Sequence, residues 1–159
     1  MNKGGFLLAN QVVKIVIAII CIVFLVYLLS SLYFAKVNAE KLKKAKDFLE
    51  GENGVNSIVS NIKEEGIVTM NRAPSGWYLF SFTGQIKPNN CLGKNCVCVC
   101  DNKYFGDYFD RQTSECNDNG ACLIIENLKS YSPELEFVID INKGLSIKKL
   151  NNQIELSVK

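Results

Sequence analysis

The chain has 159 residues, of which 48% are apolar and 21% are charged, and its 18 Lys and Arg residues nearly balance 16 Asp and Glu residues. The net charge of +2 lacks the basic field of a nucleic-acid-binding protein, so no nucleic acid partner is predicted. The absence of histidine excludes Ser-His-Asp and Cys-His catalysis and every metal site that needs imidazole. No nucleophile–base pair can be assembled from the motifs, and we therefore predict that the protein is not an enzyme and has no cofactor.

The first predicted element is a membrane-spanning helix. Residues 15–34 form a run of 20 residues without a charged side chain. As a helix this run spans about 30 Å, the hydrocarbon thickness of a bilayer. Tyr27 and Tyr33 lie toward one end of it, where amphipathic rings prefer the membrane interface. Two alternatives are a buried helix of a soluble domain and a cleaved secretory signal with its small-residue site at Val37 and Ala39.

The helix is predicted to cover residues 6–50, because no Gly or Pro interrupts the chain between Gly5 and Gly51. Beyond the apolar run it becomes amphipathic, with apolar residues at three- and four-residue spacing on one face. These residues are Ala35, Ala39, Leu42, Ala45 and Leu49. The pattern predicts a helix that leaves the membrane with one apolar face bordered by lysines.

The amino-terminal residues resemble the signal of a known family. The letters MNKGG are followed by FLLAN and a long apolar helix, which resembles the leader of archaeal type IV pilin-like proteins, also called a class III signal peptide. The resemblance implies that residues 1–5 are a leader and that a prepilin-type peptidase cuts between Gly5 and Phe6. It also implies self-association, or assembly into a membrane complex, through the N-terminal helix. At the fifth mature position, where many pilins have Glu, this sequence has Asn10, our candidate for subunit packing.

The overall layout is also similar to that of cysteine-containing surface proteins of small-genome archaea. After the long helix, residues 51–66 are predicted to form a short helix and linker. Val55, Ile58, Val59 and Ile62 have helical spacing, and Gly66 suits the end of that helix. This short helix is expected to pack on the domain that follows.

Residues 67–159 are predicted to form a small exposed β-domain that is rich in cysteine. Short runs of strand-forming residues alternate with turn residues. The predicted strands are 77–82, 123–125, 135–141, 145–149 and 153–158, the last two joined in a hairpin by Asn151-Asn152. These patterns favour an antiparallel sandwich or barrel-like domain. The predicted fold class is thus α+β, a long N-terminal transmembrane helix followed by a disulfide-stapled β-domain.

Six of the seven cysteines lie close together in this β-domain, a density typical of secreted disulfide frameworks. They are Cys91, Cys96, Cys98, Cys100, Cys116 and Cys122. If the run CVCVC is a strand, its cysteines share one face and point in parallel, which suits a bridge within the run poorly. Each of them should then pair with a cysteine outside the run, which leaves six connectivities.

A thiolate site for a metal or an iron–sulfur cluster and a set of reduced thiols are the alternatives to disulfides. The sequence lacks the C-x-x-C pairs on which such sites usually draw, so no metal is predicted. Since disulfides need an oxidising compartment, we expect a single-pass protein of the cell membrane with its C-terminal domain extracellular. The lysines after the apolar run, counted by the positive-inside rule, predict the opposite orientation.

These patterns together predict a pilin-like, membrane-anchored surface protein with a structural, filament-forming or adhesive role. Its partners would be the membrane, a prepilin-type peptidase and other copies of the chain. The alternative is an uncleaved, single-pass extracellular binding module that does not polymerise. Cleavage after Gly5 distinguishes the two hypotheses, because only the first requires it.

Overall fold

The structure is a computed structural model that describes residues 4–101, 116–130, 136–140 and 143–159, with the side chains of 11–101, 116–130, 139–140 and 143–159. The chain divides into two compact units, Met1–Ala39 and Glu40–Lys159. The helices are α1 (Gly4–Glu50) and α2 (Val55–Asn61). The strands are β1 (Glu65–Thr69), β2 (Tyr78–Phe82), β3 (Cys96–Cys100), β4 (Gly120–Ile124), β5 (Glu136–Val138), β6 (Gly144–Leu150) and β7 (Gln153–Val158).

Helix α1 begins within the apolar amino-terminal sequence and has 47 residues, which confirms the predicted long helix. Its large apolar side chains between Val12 and Phe34 are 40% to 69% exposed, so this part of the helix has apolar residues on every side. In the described part of the chain it is the one helix long and apolar enough to cross a membrane. An apolar surface of this length favours lipid over water as its surroundings.

The last turns of α1 belong to the second unit and have a different surface. Ala45, Phe48 and Leu49 are fully buried, and Leu42 is half-buried against the same core. The intervening Lys46 and other charged residues stay exposed. The apolar face of the amphipathic segment is therefore buried over these turns. The second unit begins within α1, at Glu40.

The first sheet has three antiparallel strands in the order β1-β6-β7. The β6–β7 hairpin is the one predicted, and its turn residues Asn151 and Asn152 have φ angles of 49° and 66°. Asparagine tolerates this left-handed region, which a two-residue hairpin turn requires at both positions. The register places Leu145 and Ile147 of the central strand on the buried face, together with Leu156 of β7.

The second sheet has four antiparallel strands in the order β4-β3-β2-β5. The predicted segments 77–82 and 123–125 overlap β2 and β4. Of the predicted segment 135–141, residues 136–138 form β5, and residues 135 and 141 lie outside the described residues. Strand β2 pairs with both of its neighbours, so it lies inside the sheet.

One apolar core joins the two sheets with the end of α1 and with α2. It contains Phe48 from α1, Leu145 from the first sheet and Leu79, Val97 and Val99 from the second. The described strands form two separate antiparallel sheets. Of the two predicted arrangements, sandwich and barrel, this one is sandwich-like. The predicted α+β class, with a long N-terminal helix and a disulfide-stapled antiparallel β-domain, is confirmed.

The prediction that Gly66 ends the short helix is wrong. Helix α2 ends at Asn61, and Gly66 lies inside β1, opposite Ile147 of β6. A Cβ atom at Gly66 would collide with Cγ2 of Ile58, a residue of α2. Because glycine has no side chain, α2 can pack closely on β1 at this position. Gly66 therefore has a packing role and does not end the helix.

Glu65 connects several polar groups on the outer face of the first sheet. Lys159 Nζ and Ser146 Oγ donate hydrogen bonds of 2.6 and 2.9 Å to its Oε1 atom, and Lys148 Nζ lies 3.8 Å from its Oε2 atom. The hydrogen bond from Lys159, followed by that from Ser146, lowers the pKa of Glu65 below the usual range of a glutamate. The carboxylate is therefore favoured in the folded state.

Replacing Phe48→Ala should lower the free energy of unfolding by about 3–5 kcal/mol, because it removes a fully buried ring from the shared core. The matched control is Asp47→Ala, at the exposed neighbouring position, where we expect a change within about 0.5 kcal/mol. The measurement is guanidinium unfolding of the full chain in detergent micelles, followed by the fluorescence of Trp77, the single tryptophan. Equal midpoints for the two variants would contradict the placement of α1 in the core.

Stability should fall on acidification, and Glu65 should contribute to that fall. Because its folded pKa is lowered, the unfolded chain takes up the proton first, at about pH 4.3. The stabilisation is present above that pH and is lost as pH falls through the lower folded pKa. Glu65→Gln should therefore destabilise the protein near neutral pH and lose this difference from the wild type progressively as the pH falls through the lowered folded pKa of Glu65.

The control for this measurement is Glu126→Gln. Glu126 accepts one hydrogen bond from Lys94, and the two side chains of this ion pair are 56% and 68% exposed. An isolated surface pair contributes little, so this variant should follow the wild type more closely across the range. If Glu65→Gln and Glu126→Gln gave the same dependence of the unfolding midpoint on pH, the network at Glu65 would have no special contribution.

Candidate functional site: the disulfide face

Strand β3 separates two kinds of side chain. Its residues alternate between Cys and Val, and all five are fully buried. Successive side chains of a strand point to opposite faces of the sheet. Val97 and Val99 accordingly enter the apolar core, whereas Cys96, Cys98 and Cys100 belong to a second buried cluster on the other face. We call that second face the disulfide face.

Each cysteine of β3 is bridged to a cysteine outside the strand. The bridges are Cys91–Cys96, Cys98–Cys122 and Cys100–Cys116. This is one of the six connectivities that a strand at 96–100 allows, since no bridge forms within the CVCVC run. The strand register explains the central bridge, because Cys98 and Cys122 are paired directly across β3 and β4 with their Cα atoms 4.0 Å apart.

Cys91 is positioned by a tight turn that is anchored to the chain beside Cys116. Residues Asn89–Cys91 form a 3₁₀ turn whose Asn89 N–H donates a 2.6 Å hydrogen bond to Oδ1 of Asn117. Asn90 Nδ2 also donates to the carbonyl of Cys116, at 3.3 Å. No local sequence pattern predicts that these asparagines hold the turn of Cys91. Only their proximity to the cysteines could have drawn attention to them, since side-chain amides of this kind commonly fix turns.

The aromatic side chains of β2 complete the disulfide face. Tyr78, Phe80 and Phe82 lie opposite Cys100, Cys98 and Cys96 in the register of the sheet. Tyr78 and Phe80 are stacked with their centroids 6.0 Å apart, and the rings of Phe80 and Phe82 are 6.1 Å apart. The bridges are thus bordered by an apolar, polarizable row of rings, which keeps water away from the buried sulfurs.

Gly120 leaves room for the bridge between Cys100 and Cys116. A Cβ atom at this position would lie 2.9 Å from Cys100 Sγ and 2.8 Å from the carbonyl oxygen of Cys116. Both distances are shorter than ordinary contacts. Gly120 is paired with Cys100 across the strands, so the chain approaches the bridge here without a side chain between them.

The three bridges lie close to one another as well as to the strand. Cys98 Sγ is 3.7 Å from Cys91 Sγ and 3.9 Å from Cys96 Sγ, which are close to contact distances between sulfur atoms. Five of the six bridged cysteines are fully buried, and Cys122 is half-buried. The disulfide face is therefore a compact group of sulfurs, and Cys122 is the one of its six cysteines that is not fully buried.

Two trios of these sulfurs are close enough to bind one metal ion each after reduction. Sγ atoms of Cys91, Cys98 and Cys122 lie within 4.8 Å of one another, and so do those of Cys98, Cys100 and Cys116. In the oxidised chain each of these sulfurs is bonded to its disulfide partner, whereas the metal ligand is the thiolate. The trios share Cys98, so two ions with three ligands each would require its thiolate to bridge them.

The remaining residues singled out in the sequence are on α1. Gly5, Phe6 and Asn10 lie within its helical backbone, and the side chains of residues 4–10 lie outside the described side chains, as residues 1–3 lie outside the described residues. Cys21 is exposed on the apolar part of α1 and is unbridged. The disulfide face therefore contains all six cysteines predicted to form bridges and none of the candidates for leader cleavage or subunit packing.

Comparisons of the chain with protein-family models, with curated proteins and with solved structures found no match. No relative therefore supplies an activity, a partner or a binding residue. The function has to be inferred from the chemistry of the apolar helix and of the disulfide face.

Gly120→Ala should destabilise the folded chain by about 1–3 kcal/mol, because the added methyl group collides with Cys100 Sγ and with the backbone of Cys116. It should also increase the fraction of Cys100 that reacts with an alkylating agent without prior reduction. The control is Asn119→Ala at the adjacent exposed position. If Gly120→Ala had a fully formed Cys100–Cys116 bridge and a wild-type unfolding midpoint, the predicted collision of the added methyl group with that bridge would be contradicted.

Proposed function

We propose that the chain is a membrane-anchored surface protein with a structural role, in which α1 is the anchor and the second unit is displayed outside the cell. The observation that carries the proposal is the exposed apolar surface of α1 between Val12 and Phe34, combined with a cysteine-bridged unit at its carboxyl end. The uncharged run of 20 residues matches the thickness of a bilayer. A helix that carries a folded unit in this way is an anchor or a subunit-packing element.

The disulfides support an outward orientation. Thiols of cytosolic proteins are kept reduced, and persistent bridges are typical of oxidising compartments. Three bridges in one small unit are difficult to reconcile with a cytoplasmic location. The lysines after the apolar run favour the cytoplasm. We give more weight to the bridges, because they form and persist where an oxidant is present.

The pilin-like role rests on the resemblance of the leader. A prepilin-type peptidase would cut between Gly5 and Phe6, and the freed helix would pack with other copies through the membrane, with Asn10 near the mature terminus. Asn10 is uncharged and can offer hydrogen bonds, but it cannot neutralise the amino group of a neighbouring copy. The alternative is an anchored module that retains its leader and binds a partner without forming filaments. The uncharged side chain of Asn10 supports this alternative.

Intact mass of the protein from its native membrane tests both parts of the proposal. We expect a chain that begins at Phe6, with one alkylated cysteine before reduction and seven after it. A chain that begins at Met1 with six bridged cysteines would support the anchored module. Free thiols at the six positions in freshly isolated protein would contradict the outward orientation.

A pair of leader variants tests the proposed cleavage position. Gly5→Val should block the cut and leave the chain at full mass, because the leader must end in glycine in the family that this segment resembles. Gly4→Val, one residue earlier, should still be cut after Gly5. Equal masses for the two variants would contradict cleavage after Gly5.

A further inference from the structure

We propose that the disulfide face is a site of thiol–disulfide exchange, at which Cys122 takes the attack of a small-molecule thiol and Cys98 passes the exchange to Cys91. The proposal goes beyond anchoring and display, and it rests on one juxtaposition. The half-buried end of the central bridge is joined to a buried sulfur that lies 3.7 Å from the next bridge.

The difference in burial decides where an external thiolate attacks. Cys91, Cys96, Cys98, Cys100 and Cys116 are all fully buried. Cys122 is half-buried and lies on β4, at the edge of the four-stranded sheet. Access controls which sulfur of a disulfide is attacked. The attack therefore falls on Cys122, and the sulfur that leaves is Cys98.

The first step forms one bond and breaks one bond. The thiolate of the small molecule bonds to Cys122 Sγ, the bond between Cys122 and Cys98 breaks, and its electron pair stays on Cys98. The products are a mixed disulfide on Cys122 and a thiolate on Cys98. Because Cys98 is buried on an apolar face, its charge is poorly solvated there. This desolvation disfavours a long-lived free thiolate, so Cys98 either re-forms its bond to Cys122 and releases the small-molecule thiol or attacks the neighbouring bridge.

The second step is an intramolecular exchange with the neighbouring bridge. Cys98 Sγ lies 3.7 Å from Cys91 Sγ and 3.9 Å from Cys96 Sγ. Attack on Cys96 would bridge two residues of the same face of one strand, whose Cα atoms are roughly 7 Å apart, at the upper limit for a disulfide. Attack on Cys91 avoids a bridge between two residues of one strand. It requires the Cys98 side chain, freed by the first step, to rotate into line with the Cys91–Cys96 bond, because its sulfur is almost equidistant from the two sulfurs of that bridge. The product is a bridge between Cys91 and Cys98, with Cys96 released as a thiolate that takes a proton from water.

The exchange moves the anchor of the 3₁₀ turn. In the structure the turn is tied by Cys91 to the first residue of β3, and after the exchange it is tied to Cys98, the middle residue. A second small-molecule thiolate can then attack the small-molecule sulfur of the mixed disulfide. This releases Cys122 as a thiolate and forms a small-molecule disulfide. Overall, two thiols are oxidised and one protein bridge is reduced. The free thiols are then Cys96 and Cys122, not Cys98.

The test is partial reduction of the full chain in detergent micelles with reduced glutathione, with an acid quench, alkylation and peptide mapping by mass spectrometry. The expected early product has a bridge between Cys91 and Cys98, with alkyl label on Cys96 and glutathione or label on Cys122. A product labelled on both Cys98 and Cys122, with the Cys91–Cys96 bridge intact, would overturn the proposal.

Two double variants provide an independent measurement, the rate at which the Cys91–Cys96 bridge is reduced. Removing the central bridge by Cys98→Ala with Cys122→Ala should slow this reduction by about tenfold, because the fully buried bridge is then attacked only directly. Removing the third bridge by Cys100→Ala with Cys116→Ala keeps the path and should leave the rate within about twofold. An unchanged or faster rate in the first variant, with native circular dichroism in both, would refute the path through Cys98.

Discussion

The structure of the second unit depends on the alternation of side chains along β3. Because successive residues of a strand face opposite ways, the five letters CVCVC place valines in the apolar core and sulfurs on the opposite face. A shift of the register by one residue would exchange the two sets and leave neither core intact. The three bridges fix that register, since Cys98 can meet Cys122 only when the two residues are paired across the strands.

This arrangement compensates for the small size of the unit. A short chain buries a limited apolar area, so small domains commonly depend on covalent links. A bridge that closes a loop of about 16 residues stabilises by roughly 3 kcal/mol in the chain-entropy model, by restricting the unfolded chain. Helix α1 also stabilises the unit, because its Phe48 and Leu49 are buried in the apolar core together with residues of the two sheets. One helix thus supplies an apolar surface long enough to span a membrane and, at its end, part of the core of the second unit.

Much of the fold follows from local patterns. The absence of Gly and Pro between Gly5 and Gly51 predicted the long helix, and the Asn151-Asn152 pair predicted the hairpin, because both signals depend only on neighbouring residues. Gly66 was misplaced because its role depends on Ile58, whose distance from it in space no local pattern gives. Strand β1 was not among the predicted strands, although Ile67, Val68 and Thr69 are β-branched; it is identified by its pairing with β6, a segment far away in the chain.

The same distinction applies to the disulfide face. Strand geometry reduces the connectivities to six, since it excludes bridges inside the run, but the choice among the six depends on tertiary positions. Asn117 holds the turn of Cys91 beside the strand, and Gly120 lets the backbone approach Cys100. These contacts bring the bridges so close together that their sulfurs can react with one another. Clustering therefore has two opposing effects: it stabilises the unit when all six sulfurs are oxidised, and it gives a single reduced sulfur at Cys98 a neighbouring bridge to attack.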